Sequence, residues 1–341
     1  MPGFASIIGQ DTSKGVLKAL LKNGTLPHAL LFTGVPGLGK TDAAIAVAQA
    51  CNCTGQGHQP DPGCRSGLTY PTEGCGVCRS CRKIEEGTHP DLIRIAPKGQ
   101  MIRIETIREL LQTLAMKPYE ARVRMVILTS ADDLNQSAGN ALLKVLEEPP
   151  ARTVLVLTAQ QRSDLLPTIV SRCQHLRFHP VRRQLLEETL TTHHGICARD
   201  AAVLATLAGG SIGRALDLKR THWIRRRNWL INEIQALPSR RFGALLALAE
   251  VLGRNRKTVD TDLAVIELYL RDLAVGRHCP DRIANMDLTD QIRYASRTTT
   301  TASVLSGMNA IDNARDSLRA NGNLRLTLDT LILRLTQALS I

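Results

Sequence analysis

The segment Gly34-Val35-Pro36-Gly37-Leu38-Gly39-Lys40-Thr41 constrains this chain more than any other. It satisfies the full Gly-x4-Gly-Lys-Thr pattern. It stands between an apolar run, Ala29-Leu30-Leu31-Phe32, and an alanine-rich helical stretch from Thr41 to about Ala50. That strand, loop and helix order is the context in which the pattern has a physical meaning. Gly34, Gly37 and Gly39 let backbone N–H groups turn inward toward phosphate oxygens. The helix N-terminus that follows adds partial positive charge. Lys40 is placed to neutralise terminal phosphates, and Thr41 to offer a hydroxyl to magnesium. Binding of ATP or ADP is therefore the first expectation.

The remainder of the first half agrees with such a loop. Asp91 to Ile95 reads as a short strand, Val123 to Leu128 as a second strand and Val154 to Leu157 as a buried one. Between them, Ile104, Ile107, Leu110, Leu111 and Leu114 follow helical spacing. Asn140 to Glu148 reads as a helix stopped by Pro149-Pro150, because proline cannot continue it. This alternation predicts an α/β P-loop domain with a largely parallel sheet. After about Phe178 the strand signals vanish. Leu185 to Leu218 holds helical patterns separated by Gly195 and Gly209-Gly210, and the chain from about His222 is helical in pattern throughout. Its last helix carries Leu324, Leu328, Leu331, Leu335 and Leu339 along one stripe.

Hydrolysis would need a second element, an acidic residue at the end of a neighbouring strand to hold magnesium. The strand Val123 to Leu128 is followed by Thr129-Ser130-Ala131-Asp132-Asp133, so the carboxylates come late. At strand rise the delay displaces them by roughly 10 Å, beyond any metal–ligand distance. Asp132 and Asp133 then read as a polar loop capping the next helix.

Charge and cysteine content bear on partners and compartment. The 43 Lys+Arg against 31 Asp+Glu give a formal charge of +12, which suits an anionic partner and equally a well-solvated surface. Aromatics at 3% disfavour a single-strand binder that works by stacking. The run Arg225-Arg226-Arg227 is read as a solvated helical face in preference to one facing DNA. No run of eighteen apolar residues exists, which argues against a transmembrane helix. The opening MPGFASIIGQ lacks the layout of a signal peptide, which points to the cytoplasm. In that reducing compartment, clustered cysteines mean metal or redox chemistry. Six of the nine cysteines lie between Cys51 and Cys81. The run Cys75-Gly-Val-Cys78-Arg-Ser-Cys81 puts three thiolates around one tetrahedral centre, with the fourth ligand coming from Cys53, Cys51 or Cys64. A closed four-thiolate zinc site is structural; iron–sulfur ligation is the competing reading. Cys173, Cys197 and Cys279 are isolated and read as ordinary buried cysteines.

Several blocks together resemble a known family. Ile8-Gly9-Gln10, Leu26-Pro27-His28-Ala29-Leu30-Leu31-Phe32, the phosphate loop, the cysteine run and Thr88-His89-Pro90-Asp91-Leu92 look like bacterial clamp-loader AAA+ subunits. So do Asn140-Ala-Leu-Leu-Lys-Val-Leu-Glu-Glu-Pro-Pro150 and Ser171-Arg172-Cys173. The likeness is close over residues 1–178. It continues more loosely through Gly210-Ser-Ile-Gly-Arg214-Ala-Leu and Asn321-Gly-Asn-Leu-Arg-Leu. The resemblance implies an AAA+ domain over 1–178 with an inserted zinc-binding module at about 51–81, a small helical lid over 179–221 and an all-α collar over 222–341. It implies zinc held by Cys75, Cys78, Cys81 and, best of the three candidates, Cys53. It places Arg214 at the family's second sensor position, and it gives Arg172 the role of an arginine finger reaching a neighbour's ATP. Within the family the motor subunit carries Asp-Glu where this chain has Thr129-Ser130, which implies the non-hydrolysing relative. The implied partners are the tau/gamma motor and delta subunits, the sliding clamp and primed DNA. Two rivals remain: an ATP-hydrolysing motor subunit that uses Asp132 or Asp133 after a bulge, and a zinc-dependent DNA-binding module with a vestigial loop.

Overall fold

The structure is a computed structural model that describes residues 3–55, 70–97, 99, 101–221, 223–320 and 322–339. Five strands form one parallel sheet: β1 (Ala29–Thr33), β2 (Leu92–Ile95), β3 (Arg124–Leu128), β4 (Thr153–Ala159) and β5 (Gln174–Arg177), in the order β2-β3-β4-β1-β5. In register, Leu31 lies opposite both Leu157 of β4 and His175 of β5, so the strand that feeds the phosphate loop is flanked on both sides.

The apolar runs are continuous because the sheet is covered on both faces. Leu30 and Phe32 of β1, Met125 and Ile127 of β3, and Val154 and Val156 of β4 pack on one side. Their neighbours Leu31, Val126, Leu128, Leu155 and Leu157 pack on the other. The first face takes α1 (Asp11–Lys22) and α2 (Lys40–Asn52), and α3 (Arg79–Glu86) adds Ile84 there. Alanine dominates α2 because it lies close against the sheet: Ala43, Ala44, Ala46, Ala48 and Ala50 are all buried. The opposite face takes α4 (Ile104–Leu114), α5 (Gln136–Glu147) and the short α6 (Pro167–Val170). Asn135 caps α5 by accepting the Ala138 N–H at 2.8 Å.

The helices beyond the sheet are α7 (Arg183–Thr192), α8 (Ala198–Leu207), α9 (Ile212–Arg220), α10 (Trp223–Ala236), α11 (Phe242–Gly253), α12 (Arg256–His278), α13 (Thr289–Thr298), α14 (Thr301–Arg319) and α15 (Leu324–Leu339). By contacts the chain divides into two compact units: Met1–Leu185 with Gly210–Arg214, and Leu186–Gly209 with Ala215–Ile341. The second unit has its own core, in which Leu328, Leu331 and Leu335 of α15 meet Leu248, Leu252 and Leu270. Among the described residues, no single helix is long and apolar enough to cross a membrane.

The basic run at 225–227 is not a uniform solvated face. Only Arg225 is exposed. Arg226 pairs with Asp262 at 2.8 Å and lies over the Trp229 ring at 4.5 Å from its centroid. Arg227 has no exposed surface and donates to Asp287, to Asn285 at 3.1 Å and to Asn228 at 2.7 Å. Residues three and four apart share a helix face, whereas successive ones do not, so a run of three arginines is spread around α10. Two of the isolated cysteines also differ from expectation. Cys197 and Cys279 are exposed, each just ahead of a helical turn, while Cys173 is half-buried against the sheet core.

Candidate functional site

The phosphate loop leaves the carboxyl end of β1, beside the ends of β3 and β4, where ligands bind in open parallel sheets. Its three glycines have positive φ: 143° at Gly34, 79° at Gly37 and 86° at Gly39. Gly37 has a second reason to lack a side chain. A Cβ there would stand 2.5 Å from Ser211 Oγ. The Ser211–Arg214 segment is latched onto the loop: Ser211 Oγ donates to Pro36 O at 2.7 Å, and Gly213 N–H donates to Gly37 O at 3.0 Å. Arg214, in the first turn of α9, is exposed at its side chain.

Lys40 turns its ammonium onto backbone carbonyls, donating to Gly34 O and, at 2.9 Å, to Ala159 O. Burial lowers its pKa from the usual lysine range, and the charge of Asp132 opposes that shift. A cavity of about 220 Å³ opens beside the loop. Lys40, Thr41, Asp42, Ser130, Asp132 and Thr158 are among the residues that line it. Arg172 and Arg214 do not line it.

Asp132 corrects the expectation of late, distant carboxylates. A straight continuation of β3 would carry it away. Instead Ser130 adopts the left-handed conformation (φ 52°, ψ 57°), and Ala131–Asp133 close a 3-10 turn. The Ser130 N–H donates to Thr158 Oγ1 at 3.2 Å, which fixes the turn beside the end of β4. Thr129, at the strand end, donates its hydroxyl to Ile95 O at 3.0 Å. Sequence reasoning missed Thr158 altogether. The available signal was a hydroxyl directly after the apolar run Val154–Leu157.

Four cysteines form a second centre. The Sγ atoms of Cys53, Cys75, Cys78 and Cys81 all lie within 4.8 Å of one another. Thiolates at about 2.3 Å from one zinc stand roughly 3.8 Å apart, so the set fits a single tetrahedral ion. Ligands of a multi-iron cluster bind separate irons and stand further apart. Backbone N–H groups are aimed at the sulfurs: Cys75 N–H at Cys53 Sγ (3.3 Å), Cys78 N–H at Cys75 Sγ (3.3 Å) and Cys81 N–H at Cys78 Sγ (3.4 Å). Burial raises the Cys78 thiol, but the Cys81 and Thr54 donors outweigh it and hold the pKa at about 5. Gly55 gives the approach its room, since a Cβ there would stand 2.9 Å from Cys75 Sγ. Cys51 points into the sheet core instead, where burial pushes its pKa up to about 12. Cys64, the remaining candidate, lies outside the described residues.

Arg172 follows α6. Its guanidinium pairs with Glu147 at the end of α5 at 2.7 Å and donates to Thr168 O at 3.1 Å. It remains about a third exposed, and Glu147 about half.

The family model described as "DNA polymerase III, delta subunit" matches residues 9–182. The DNA polymerase III subunit delta' of Bacillus subtilis is 29% identical over 93% of this chain and 93% of its own length. Its Escherichia coli counterpart is 30% identical over 80% of this chain and 77% of its own length. Subunit tau of DNA polymerase III from Escherichia coli is 34% identical over 63% of this chain, but only 32% of that longer protein is covered.

Proposed function

The chain belongs to the DNA polymerase III delta-subunit family, and on that premise we propose that it is the delta prime subunit of a bacterial clamp loader, acting in the cytoplasm to help place a sliding clamp on primed DNA. Its partners are the tau/gamma motor and delta subunits. In this reading residues 1–178 serve as the AAA+ domain, 179–221 as the lid and 222–341 as the collar. The single observation that carries the choice of delta prime over tau is coverage of this chain: the likeness to delta prime runs over 93% of it, whereas the tau match runs over 63%.

The phosphate loop binds ATP or ADP through the 34, 37 and 39 backbone, Lys40 and Thr41, with Arg214 near the phosphates. Turnover by the chain itself is negligible, because the β3 end offers Thr129 and Ser130 in place of an acidic pair. The chain's contribution to hydrolysis is Arg172, supplied to the neighbouring motor, where a guanidinium stabilises charge on the transferred phosphoryl group. Its pairing with Glu147 does not oppose this. A partly exposed ion pair is worth about 0–1 kcal/mol and is readily exchanged for a phosphate. Zinc on Cys53, Cys75, Cys78 and Cys81 closes the inserted module and has no catalytic part.

The test is ATP turnover by the isolated chain beside Lys40→Ala. The reading expects no Lys40-dependent activity. Turnover on the order of 1 per second that disappears in the variant would assign the chain to the motor class instead.

A further inference from the structure

One carboxylate beside the phosphate-loop cavity has an oxygen without a hydrogen bond. Asp132 Oδ1 is buried and makes no hydrogen bond, although the residue lines the same cavity as Lys40 and Thr41. A buried, unpaired carboxylate oxygen is costly, and such atoms call for a specific partner. The turn that carries it is anchored by Ala131, which is buried in the sheet core. The left-handed Ser130, the 3-10 turn and the Ser130 to Thr158 hydrogen bond turn the chain back, so that Asp132 lines the cavity.

We propose that Asp132 is the carboxylate that faces the magnesium ion of a bound nucleotide, working with the Thr41 hydroxyl in place of an acid at the strand end. Magnesium takes oxygen ligands and is held by one or two carboxylates plus substrate phosphates. The residues where such an acid ordinarily sits are neutral here, and the Thr129 hydroxyl is engaged by Ile95 O. Of the other nearby carboxylates, Asp42 is exposed in the first turn of α2. Asp133 does not line the cavity, and its backbone carbonyl takes the Ile102 N–H. The electrostatic pull of Asp132 on Lys40 places negative charge beside the ammonium that meets the phosphates. One such carboxylate holds the cation without activating a water, so the inference is compatible with negligible turnover. It rests on the nucleotide-binding reading above.

The experiment is equilibrium binding of a fluorescent ATP analogue to the full chain, with magnesium and with EDTA, for wild type, Asp132→Asn and Asp42→Asn. Wild type is expected to bind at least about tenfold tighter with magnesium. Asp132→Asn should bind equally well under both conditions, at or above the EDTA affinity of wild type, because a negative charge beside the phosphates has gone. Asp42→Asn should keep the magnesium enhancement. Full enhancement in Asp132→Asn, or its loss in Asp42→Asn alone, overturns the assignment while leaving nucleotide binding intact. Absence of binding in wild type under either condition overturns both readings. Thermal unfolding without nucleotide separates a structural role. Asp132→Asn should match or exceed wild type in Tm, and a clear drop would mean that the carboxylate holds the fold instead.

Discussion

Arg227 shows what a charge run hides at the scale of one residue. Its guanidinium is buried against Asp287, Asn285 and Asn228, and Asn285 in turn donates to Asp272 at 2.7 Å. Removing one member of a buried charged network leaves the others uncompensated, at a cost of about 3–5 kcal/mol. Arg227→Ala should therefore lower the urea-unfolding free energy by about that amount, whereas Arg225→Ala should change it by less than about 0.5 kcal/mol. Asp91 makes a comparable anchor in the first unit. Burial raises its carboxyl, but the N–H groups of Glu120, Tyr119 and Ala121 at 2.8–2.9 Å, with Arg124 at 3.5 Å, outweigh it and hold the pKa below the usual carboxylate range. A depressed folded-state pKa gives stability that is full above the unfolded value and is lost as pH falls through the folded one. Wild type should thus exceed Asp91→Asn in urea midpoint at pH 7, and the gap should shrink as pH drops below about 4. A constant gap would remove the charge from the explanation.

At the scale of elements, the cysteine module is a test of which side of α2 each thiol leaves. Cys51 is on the helix and faces the sheet core, whereas Cys53 is the first residue past it and turns outward to Cys75, Cys78 and Cys81. Spacing alone could not separate two cysteines two apart at a helix end, since the helix stop decides the direction. Purified wild type and Cys51→Ser should each carry about one zinc per chain, and Cys53→Ser should carry substantially less. The inner strands were legible because β1, β3 and β4 are apolar runs covered on both faces. The edge strand β5 was not, because only Leu176 of Gln174–Arg177 is buried. The short α3 was also missed, because only Cys81 and Ile84 of its eight residues are buried. The carboxylate position failed for a different reason. Extrapolation assumed extended backbone past Leu128, and a single non-glycine residue in the left-handed region reversed the chain.

At the scale of the molecule, the phosphate loop and the order of strand and helix signals were enough to imply a parallel α/β unit followed by helices. The grouping of Leu186–Gly209 with the later helices was beyond reach, because helical periodicity reports a buried face and not what covers it. The proposed function turns on what the chain gives to others: Arg172 stands on the surface beside α6, outside the phosphate-loop cavity, held by an ion pair weak enough to exchange. The most direct measurement is ATP turnover by the complete clamp loader, with clamp and primed DNA, assembled from wild type or from Arg172→Ala. The account predicts normal assembly and a fall on the order of 10³-fold or more at the neighbouring motor site. An intact complex with unchanged turnover would contradict it.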